Sequence, residues 1–227
     1  MKIIKNSRLR TLLRYLLPFL LMPLVIALGM IFLESKYHAI ITVAVLLLSL
    51  LLFLCGFDRR MVGVRRQVIV AVMTALSVVG RFIPFFKPIT AMTTITGMYL
   101  GGEAAFLVGA LSAVISNFFY GQGPWTPFQM MAWGLIGLFS GFLAPLLRRS
   151  RLCLCIFALF SGVAFSALMD VWTAISGDGF SWPTYTAALV TALPHTALYC
   201  VSNVIFLGLC AGPFGRKLER VKKKYGV

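Results

Sequence analysis

The residues best suited to bind a small molecule lie in and just after one short segment, YGQGPWTP, at residues 120–127. Two glycines and two prolines interrupt any helix there, so the side chains of Gln122 and Trp125 can meet a ligand. Beyond the segment, Gln129 and Trp133 lie four residues apart and share one face of the helix that follows. The arrangement predicts a shaped loop that closes over a pocket between two membrane helices.

Polar side chains elsewhere in the chain are candidates for completing this pocket. Asp170 lies within an apolar run, where a carboxylate is costly unless it is paired or used. It could instead be a structural partner of Arg81 or His195, and a lone histidine in a membrane helix is as often a structural donor as a ligand contact. The complete set of expected substrate contacts is Phe85, Lys87, Asn117, Gln122, Trp125, Gln129, Trp133, Asp170, Trp182, His195 and Tyr199.

The sequence lacks the catalytic motifs of the common enzyme classes. It contains no HExxH, no GxSxG and no Walker lysine loop, and no two carboxylates are placed for acid–base work. The five cysteines are odd in number and lack metal-ligand spacing, which favours apolar packing over a disulfide or a zinc site. We therefore expect no catalytic residues, no metal site and no cofactor.

The composition is that of an integral membrane protein. The 227 residues are 60% apolar, with a mean hydropathy of +0.94, whereas soluble domains are about 45–50% apolar. Several apolar runs approach the roughly 20 residues that a helix needs to cross a bilayer. Membrane lipids are therefore expected to surround the chain.

The formal charge of +15 is explained by topology rather than by nucleic-acid binding. Of the 21 Lys and Arg residues, 18 fall in four places: before residue 15, in 58–66, in 148–151 and in 216–224. These places alternate with the apolar runs, and the positive-inside rule assigns them to the cytoplasm. Both termini are then cytoplasmic, and no nucleic-acid partner is expected.

The apolar runs predict an all-α integral membrane bundle with six core transmembrane helices and two more in front of them. Residues 1–60 form the N-terminal pair with a basic arm, and residues 61–227 form the core with a basic tail. Because the N-terminal runs lack polar stripes, we expect them to be peripheral to the substrate site. The eight expected helices span residues 15–33, 39–57, 67–86, 89–100, 104–119, 128–147, 152–175 and 186–211.

The first core helix carries a face of small residues. Ala71 and Ala75 are four residues apart near its cytoplasmic end, and small residues at this spacing let another helix approach closely. The spacing alone does not distinguish an internal neighbour from a separate subunit.

The run FKPITAMTTITGMYLGGEAAFLVGALSAVISNFFYGQGPWTPFQMMAWGLIGLFSG resembles the substrate-binding S component of energy-coupling factor (ECF) transporters of bacteria, of the riboflavin-type or uncharacterised group. The resemblance covers residues 64–215 and is most specific at 120–134. It implies a six-helix core in the bacterial plasma membrane that binds a vitamin beneath its outer loops. It also implies that the face of Ala71 and Ala75 docks a shared transmembrane T subunit, which couples to two ATPase subunits.

The vitamin itself is not fixed by the resemblance. Tryptophans with amide and hydroxyl side chains suit a large flat heterocycle with polar edges. Cobalamin or a corrinoid precursor is our first expectation and riboflavin the second. The alternatives to a transport subunit are a cell-envelope scaffold protein and a membrane enzyme that acts on lipid intermediates.

Overall fold

The computed structural model describes residues 6–32, 37–56, 64–83, 88–177 and 179–225. Within them the chain forms α1 (Ser7–Phe32), α2 (His38–Cys55), α3 (Val64–Gly80), α4 (Ile89–Leu100), α5 (Gly102–Tyr120), α6 (Thr126–Phe142), α7 (Ala144–Arg149), α8 (Arg151–Ile175) and α9 (Trp182–Tyr225). In this described part of the chain, five helices are long and apolar enough to cross a membrane: α1, α2, α5, α8 and α9. The prediction of an all-α membrane bundle is confirmed.

The first helix begins at a side-chain cap and changes its pitch at a proline. Asn6 Oδ1 accepts hydrogen bonds from the backbone N–H groups of Arg8 and Leu9, at 3.0 and 3.3 Å. Because Pro18 has no N–H to donate, the helix widens into a π turn over Leu17–Leu21 and then continues.

The short helix α4 lies at the centre of the bundle. It packs against α3, α5, α6 and α9, and eleven of its twelve residues are buried. A helix of twelve residues spans only about 18 Å, less than the bilayer core. Its neighbours shelter its ends, which explains how so short a segment is stable at membrane depth.

Helices α5 and α6 approach each other almost backbone to backbone. A Cβ added at Gly109 would lie 2.6 Å from the carbonyl carbon of Trp133, and one added at Gly137 would lie 2.8 Å from that of Ala105. Only glycine fits at such distances, so the sequence of small residues sets how closely these helices pack. This contact holds the end of α5 beside the beginning of α6.

The N-terminal helices attach to the basic end of the bundle, defined here as the end that contains the Gly101–Glu103 turn. Nε of Arg14 lies 2.5 Å from Oε1 of Glu103, and the rings of Tyr15 and Phe142 stack with centroids 6.4 Å apart. Arg66 on α3 donates hydrogen bonds to the carbonyl oxygens of Leu100, at 2.7 Å, and Gly56, at 3.4 Å. The N-terminal helices α1 and α2 are therefore bound to the core by an ion pair, by hydrogen bonds and by aromatic packing.

The last helix is longer than the sequence pattern indicates. The expected span of 186–211 becomes Trp182–Tyr225, a helix of 44 residues that contains Pro194 and Pro213. At 1.5 Å per residue its length is about 66 Å, which exceeds the roughly 30 Å of the hydrocarbon core. The basic tail is therefore a helical continuation of α9.

We predict that Gly109→Ala destabilises the protein, because the new methyl group would overlap the backbone of α6. Overpacking of this kind costs about 1–3 kcal/mol, which corresponds to a fall of roughly 5 °C in the unfolding midpoint of a chain of this size. The measurement is thermal unfolding in detergent. Gly208→Ala on α9 is the matched control, because nothing lies within 4 Å of its Cβ position. An equal midpoint in the two variants would contradict the close approach of α5 and α6.

Candidate functional site

The loop between α5 and α6 is held by the side chain of Thr126. Its Oγ1 accepts hydrogen bonds from Asn117 Nδ2 at 2.9 Å and from the Gly123 N–H at 3.3 Å, and it donates to Gln122 Oε1 at 3.1 Å. Gly121 has a φ of 97°, which disfavours any residue with a Cβ. The loop at the start of α6 is thus fixed by its own hydrogen bonds.

A chain of polar side chains runs inward from this loop. Arg81, directly after α3, donates from Nη1 to Asn117 Oδ1 at 2.8 Å and to Ser116 Oγ. Asn117 in turn donates from Nδ2 to Gln129 Oε1 at 2.9 Å. The Arg81 guanidinium also lies 5.3 Å from the centroid of the Trp133 ring, within range of a cation–π interaction. These contacts orient Gln129 and Trp133 from the side of α5.

A cavity of about 230 Å³ opens next to this polar chain. Four parts of the chain supply its walls: the residue after α3, and helices α6, α8 and α9. The residues that line it are Arg81, Gln129, Trp133, Phe165, Ser166, Met169, Asp170, Ala192, His195 and Tyr199.

One wall of the cavity is a layer of aromatic rings. The Trp133 and Phe165 rings stack with centroids 4.8 Å apart and planes 21° apart, and the Phe165 and Tyr199 rings are also 4.8 Å apart. Trp133 Nε1 donates a hydrogen bond to Tyr199 Oη at 2.7 Å, and Thr90 Oγ1 lies 3.0 Å from the same oxygen. The rings stack on one another and are held in place by these hydrogen bonds, so they form a rigid aromatic wall against which a bound molecule could pack.

Two buried ionisable side chains of opposite charge face the same cavity. Arg81 is 8% exposed and Asp170 is 7% exposed. His195 also lines the cavity, and its ring stacks on Tyr199 with centroids 6.0 Å apart. The cavity therefore combines an aromatic wall with a cation, a carboxylate and an imidazole.

The structure brings together five of the eleven predicted substrate contacts: Gln129, Trp133, Asp170, His195 and Tyr199. Asn117 adjoins them through its hydrogen bond to Gln129. The five cavity residues come from three helices, α6, α8 and α9. A shared helix face pointed to Gln129 with Trp133 and to His195 with Tyr199, and the position of an ionisable group in an apolar run pointed to Asp170.

The other predicted contacts lie elsewhere or outside the described residues. Gln122 donates to the Val114 carbonyl oxygen at 2.8 Å and holds the loop, while Trp125 is half-buried near Gly123. Trp182 is 71% exposed in a ring cluster with Phe180 and Tyr185, outside the cavity. Phe85 and Lys87 fall outside the described residues.

Sequence reasoning missed several residues of the cavity wall. Among the residues predicted from the sequence, Arg81 appears only as a possible partner of Asp170. Four further wall residues do not appear among the predicted ligand contacts: Phe165, Ser166, Met169 and Ala192. Phe165 and Met169 are four residues apart on the face of α8 that also presents Asp170, so helical spacing around Asp170 was the available signal.

A larger groove of about 730 Å³ lies between α1 and helices α6 and α8. The described residues that line it are apolar, among them Ile26, Met30, Met131, Leu135 and Leu168. No described lining residue can ionise, so this lateral groove lacks the groups that acid–base or nucleophilic chemistry requires.

A helical membrane bundle with an internal, aromatic-walled cavity beneath a structured loop has the architecture of a membrane-embedded binding protein. The family model described as ECF-type riboflavin transporter, S component, matches residues 61–220. The chain belongs to this family, and it is accordingly a substrate-binding subunit of a transporter rather than an enzyme. No curated protein and no solved structure matches the chain.

We predict that, in a titration with riboflavin, the vitamin named in the family description, Trp133→Ala weakens binding at least tenfold, or about 1.4 kcal/mol, because it removes one ring of the aromatic wall together with its hydrogen bond to Tyr199. Titration of the purified protein by flavin fluorescence measures the change. The control is Trp172→Ala, which removes an indole that packs on Phe128 outside the cavity, with ring centroids 5.8 Å apart. Equal affinities in the two variants would show that Trp133 serves packing alone.

Proposed function

We propose that this chain binds riboflavin, or a closely related flat vitamin, and delivers it to an ATP-driven importer of the bacterial plasma membrane. The observation that carries the proposal is the stacked wall of Trp133, Phe165 and Tyr199 beside the polar groups of the cavity. A planar heterocycle gains contact area from such a wall, and polar side chains at its edges fix its orientation.

Cavity size favours a flavin over the corrinoid that was our first expectation. The cavity of about 230 Å³ lies below the range of roughly 300–1,000 Å³ that is usual for ligand sites. A corrin macrocycle with its side chains is much bulkier than a tricyclic ring. We therefore rank riboflavin first.

The orientation in the membrane follows from the distribution of charge. The basic end carries Arg14 and Arg66, and the basic continuation of α9 contains a further six Lys and Arg residues. The positive-inside rule assigns this end to the cytoplasm, together with both termini. The Gly121–Trp125 loop then faces outward, where substrate would enter.

The small-residue face of α3 is the proposed coupling surface. Ala71 and Ala75 are both exposed, as are the neighbouring Val68 and Val72, so no other described part of the chain covers this face. An exposed small-residue face favours docking of a separate subunit over internal packing. We propose that the partner is the ECF T subunit, which acts with a pair of ATPase subunits.

The N-terminal pair is proposed to be accessory to binding. The family match begins at residue 61, and no described residue before it lines the cavity. The pair contacts the Gly101–Glu103 turn through Arg14 instead. A purely scaffolding role for the whole chain would leave the aromatic cavity without a purpose.

Transport tests the proposal directly. Cells that cannot import riboflavin should take up the radiolabelled vitamin when this chain is expressed together with an ECF T subunit and its ATPases. Uptake should require ATP hydrolysis. Absence of uptake by an assembled complex would contradict the proposed function.

We predict that Ala71→Trp or Ala75→Trp abolishes this uptake while riboflavin affinity stays within about twofold, because a large side chain holds the partner helix away from α3. Affinity and uptake are measured on the same preparations. The control is Val163→Trp, a substitution at a half-exposed position on α8. Loss of affinity in parallel with uptake would make the face part of the internal packing.

A further inference from the structure

Arg81 and Asp170 reach the cavity from different walls. Arg81 follows α3, which packs against α4 and α5, whereas Asp170 lies on α8, which packs against α6 and α9. No ion pair joins the two side chains in the described part of the protein. The cavity therefore has a cation on one wall and a carboxylate on another, and they do not neutralise each other by contact.

Each of the two side chains has a buried polar atom that no described residue satisfies. The hydrogen bonds of the Arg81 side chain to Ser116 and Asn117 both leave from Nη1, and its Nε has no hydrogen-bond partner among the described residues. Oδ2 of Asp170 likewise has none among the described residues. Buried polar atoms without partners are unfavourable, and charged groups are the most unfavourable of all. A bound molecule that reaches both atoms would satisfy them.

Asp170 has Ser166 as a hydrogen-bonding neighbour and His195 close by in the same cavity. The surroundings of Arg81 explain where its side chain sits but not its unsatisfied atom. The Arg81 guanidinium lies 4.8 Å from the centroid of the Tyr120 ring, and the Tyr120 hydroxyl donates to the Arg81 carbonyl oxygen at 2.8 Å. These contacts fix the position of Arg81 at the end of α3. They leave Nε, a donor, without an acceptor in the described part of the chain.

We infer that the bound molecule is bipolar: one edge carries a hydrogen-bond acceptor that Arg81 binds, and a separate hydroxyl or amine group donates to Asp170. The inference rests on the proposed function and names the groups that select the ligand. Arginine can only donate and an ionised carboxylate can only accept, so the two poles demand opposite chemistry. A site of this kind rejects an analogue that lacks either group, because a buried charge is then left unpaired.

Riboflavin has the required groups in separate places. Its ring system carries carbonyl oxygens at one edge, and its ribityl chain carries hydroxyls. With the ring system packed against the aromatic wall of Trp133 and Phe165, a ring carbonyl is assigned to Arg81 and a ribityl hydroxyl to Asp170. Charge-assisted hydrogen bonds at both poles would add to the stacking.

The test compares riboflavin with lumiflavin, which has the same ring carbonyls but a methyl group in place of the ribityl chain. We expect Asp170→Asn to weaken riboflavin binding about tenfold and to leave lumiflavin binding within twofold. Arg81→Gln should weaken both ligands by similar factors of about tenfold. Glu219→Gln and Arg149→Gln, at exposed positions, are matched charge controls that should change neither affinity.

Each outcome decides a different point. If wild-type protein binds neither flavin, the proposed function fails and the inference fails with it. If wild-type protein binds riboflavin but Asp170→Asn weakens both ligands equally or neither, the assignment of the hydroxyl to Asp170 is overturned. If Arg81→Gln weakens riboflavin binding but not lumiflavin binding, the ribityl chain lies at Arg81, and the assignment of the ring carbonyl to Arg81 is overturned. If Arg81→Gln does not fold, as judged by its unfolding midpoint, Arg81→Lys replaces it. The comparison of the two flavins on Asp170→Asn then still tests the assignment of the hydroxyl.

Discussion

The close approach of α5 and α6 is the constraint on which the rest of the site depends. Glycines at the crossing, Gly109 and Gly137 among them, bring the two backbones together where side chains would hold them apart. This contact places the end of α5 beside the beginning of α6, so that Asn117 can reach both Thr126 and Gln129. The same crossing turns Trp133 toward Phe165 on α8. A loop shaped by glycine and proline and a cavity walled by rings are both consequences of that packing.

Charge at membrane depth is the second constraint. A buried arginine or carboxylate is unfavourable in hydrocarbon surroundings unless polar groups compensate for it. Arg81 is compensated in part by Ser116, Asn117 and two aromatic rings, and Asp170 shares its cavity with His195. At the basic end, charges are neutralised by pairing, since Arg14 forms an ion pair with Glu103. This ion pair joins the N-terminal helices to the core. Charge at one end of the bundle thus joins its parts, and charge in the cavity is what we propose a ligand binds.

The sequence was sufficient to predict the all-α membrane class, because apolar runs of membrane length and basic breaks between them are local signals. It also pointed to five cavity residues, since Gln129 with Trp133 and His195 with Tyr199 follow helical spacing within single helices and Asp170 is a carboxylate within an apolar run. It could not place Arg81 or Phe165 in the cavity, because their positions depend on which helices pack together. The sequence also did not predict that Trp182 is exposed, because exposure depends on tertiary packing. Nor did it predict the full length of α9, because no local sequence signal shows that the helix continues past Pro213. The ion pair of Arg14 with Glu103 joins residues that are distant in sequence, so it too could not be predicted from the sequence.

The central claim is that a flat heterocycle lies against the Trp133–Phe165 wall between Arg81 and Asp170. The most direct measurement is an experimental structure of the full chain with riboflavin bound, determined in a lipid environment. The account predicts one ring system packed against the Trp133–Phe165 wall, with a carbonyl oxygen at Arg81 and a ribityl hydroxyl at Asp170. Riboflavin density outside this cavity, for instance in the apolar groove beside α1 or against the Trp182 cluster, would contradict it.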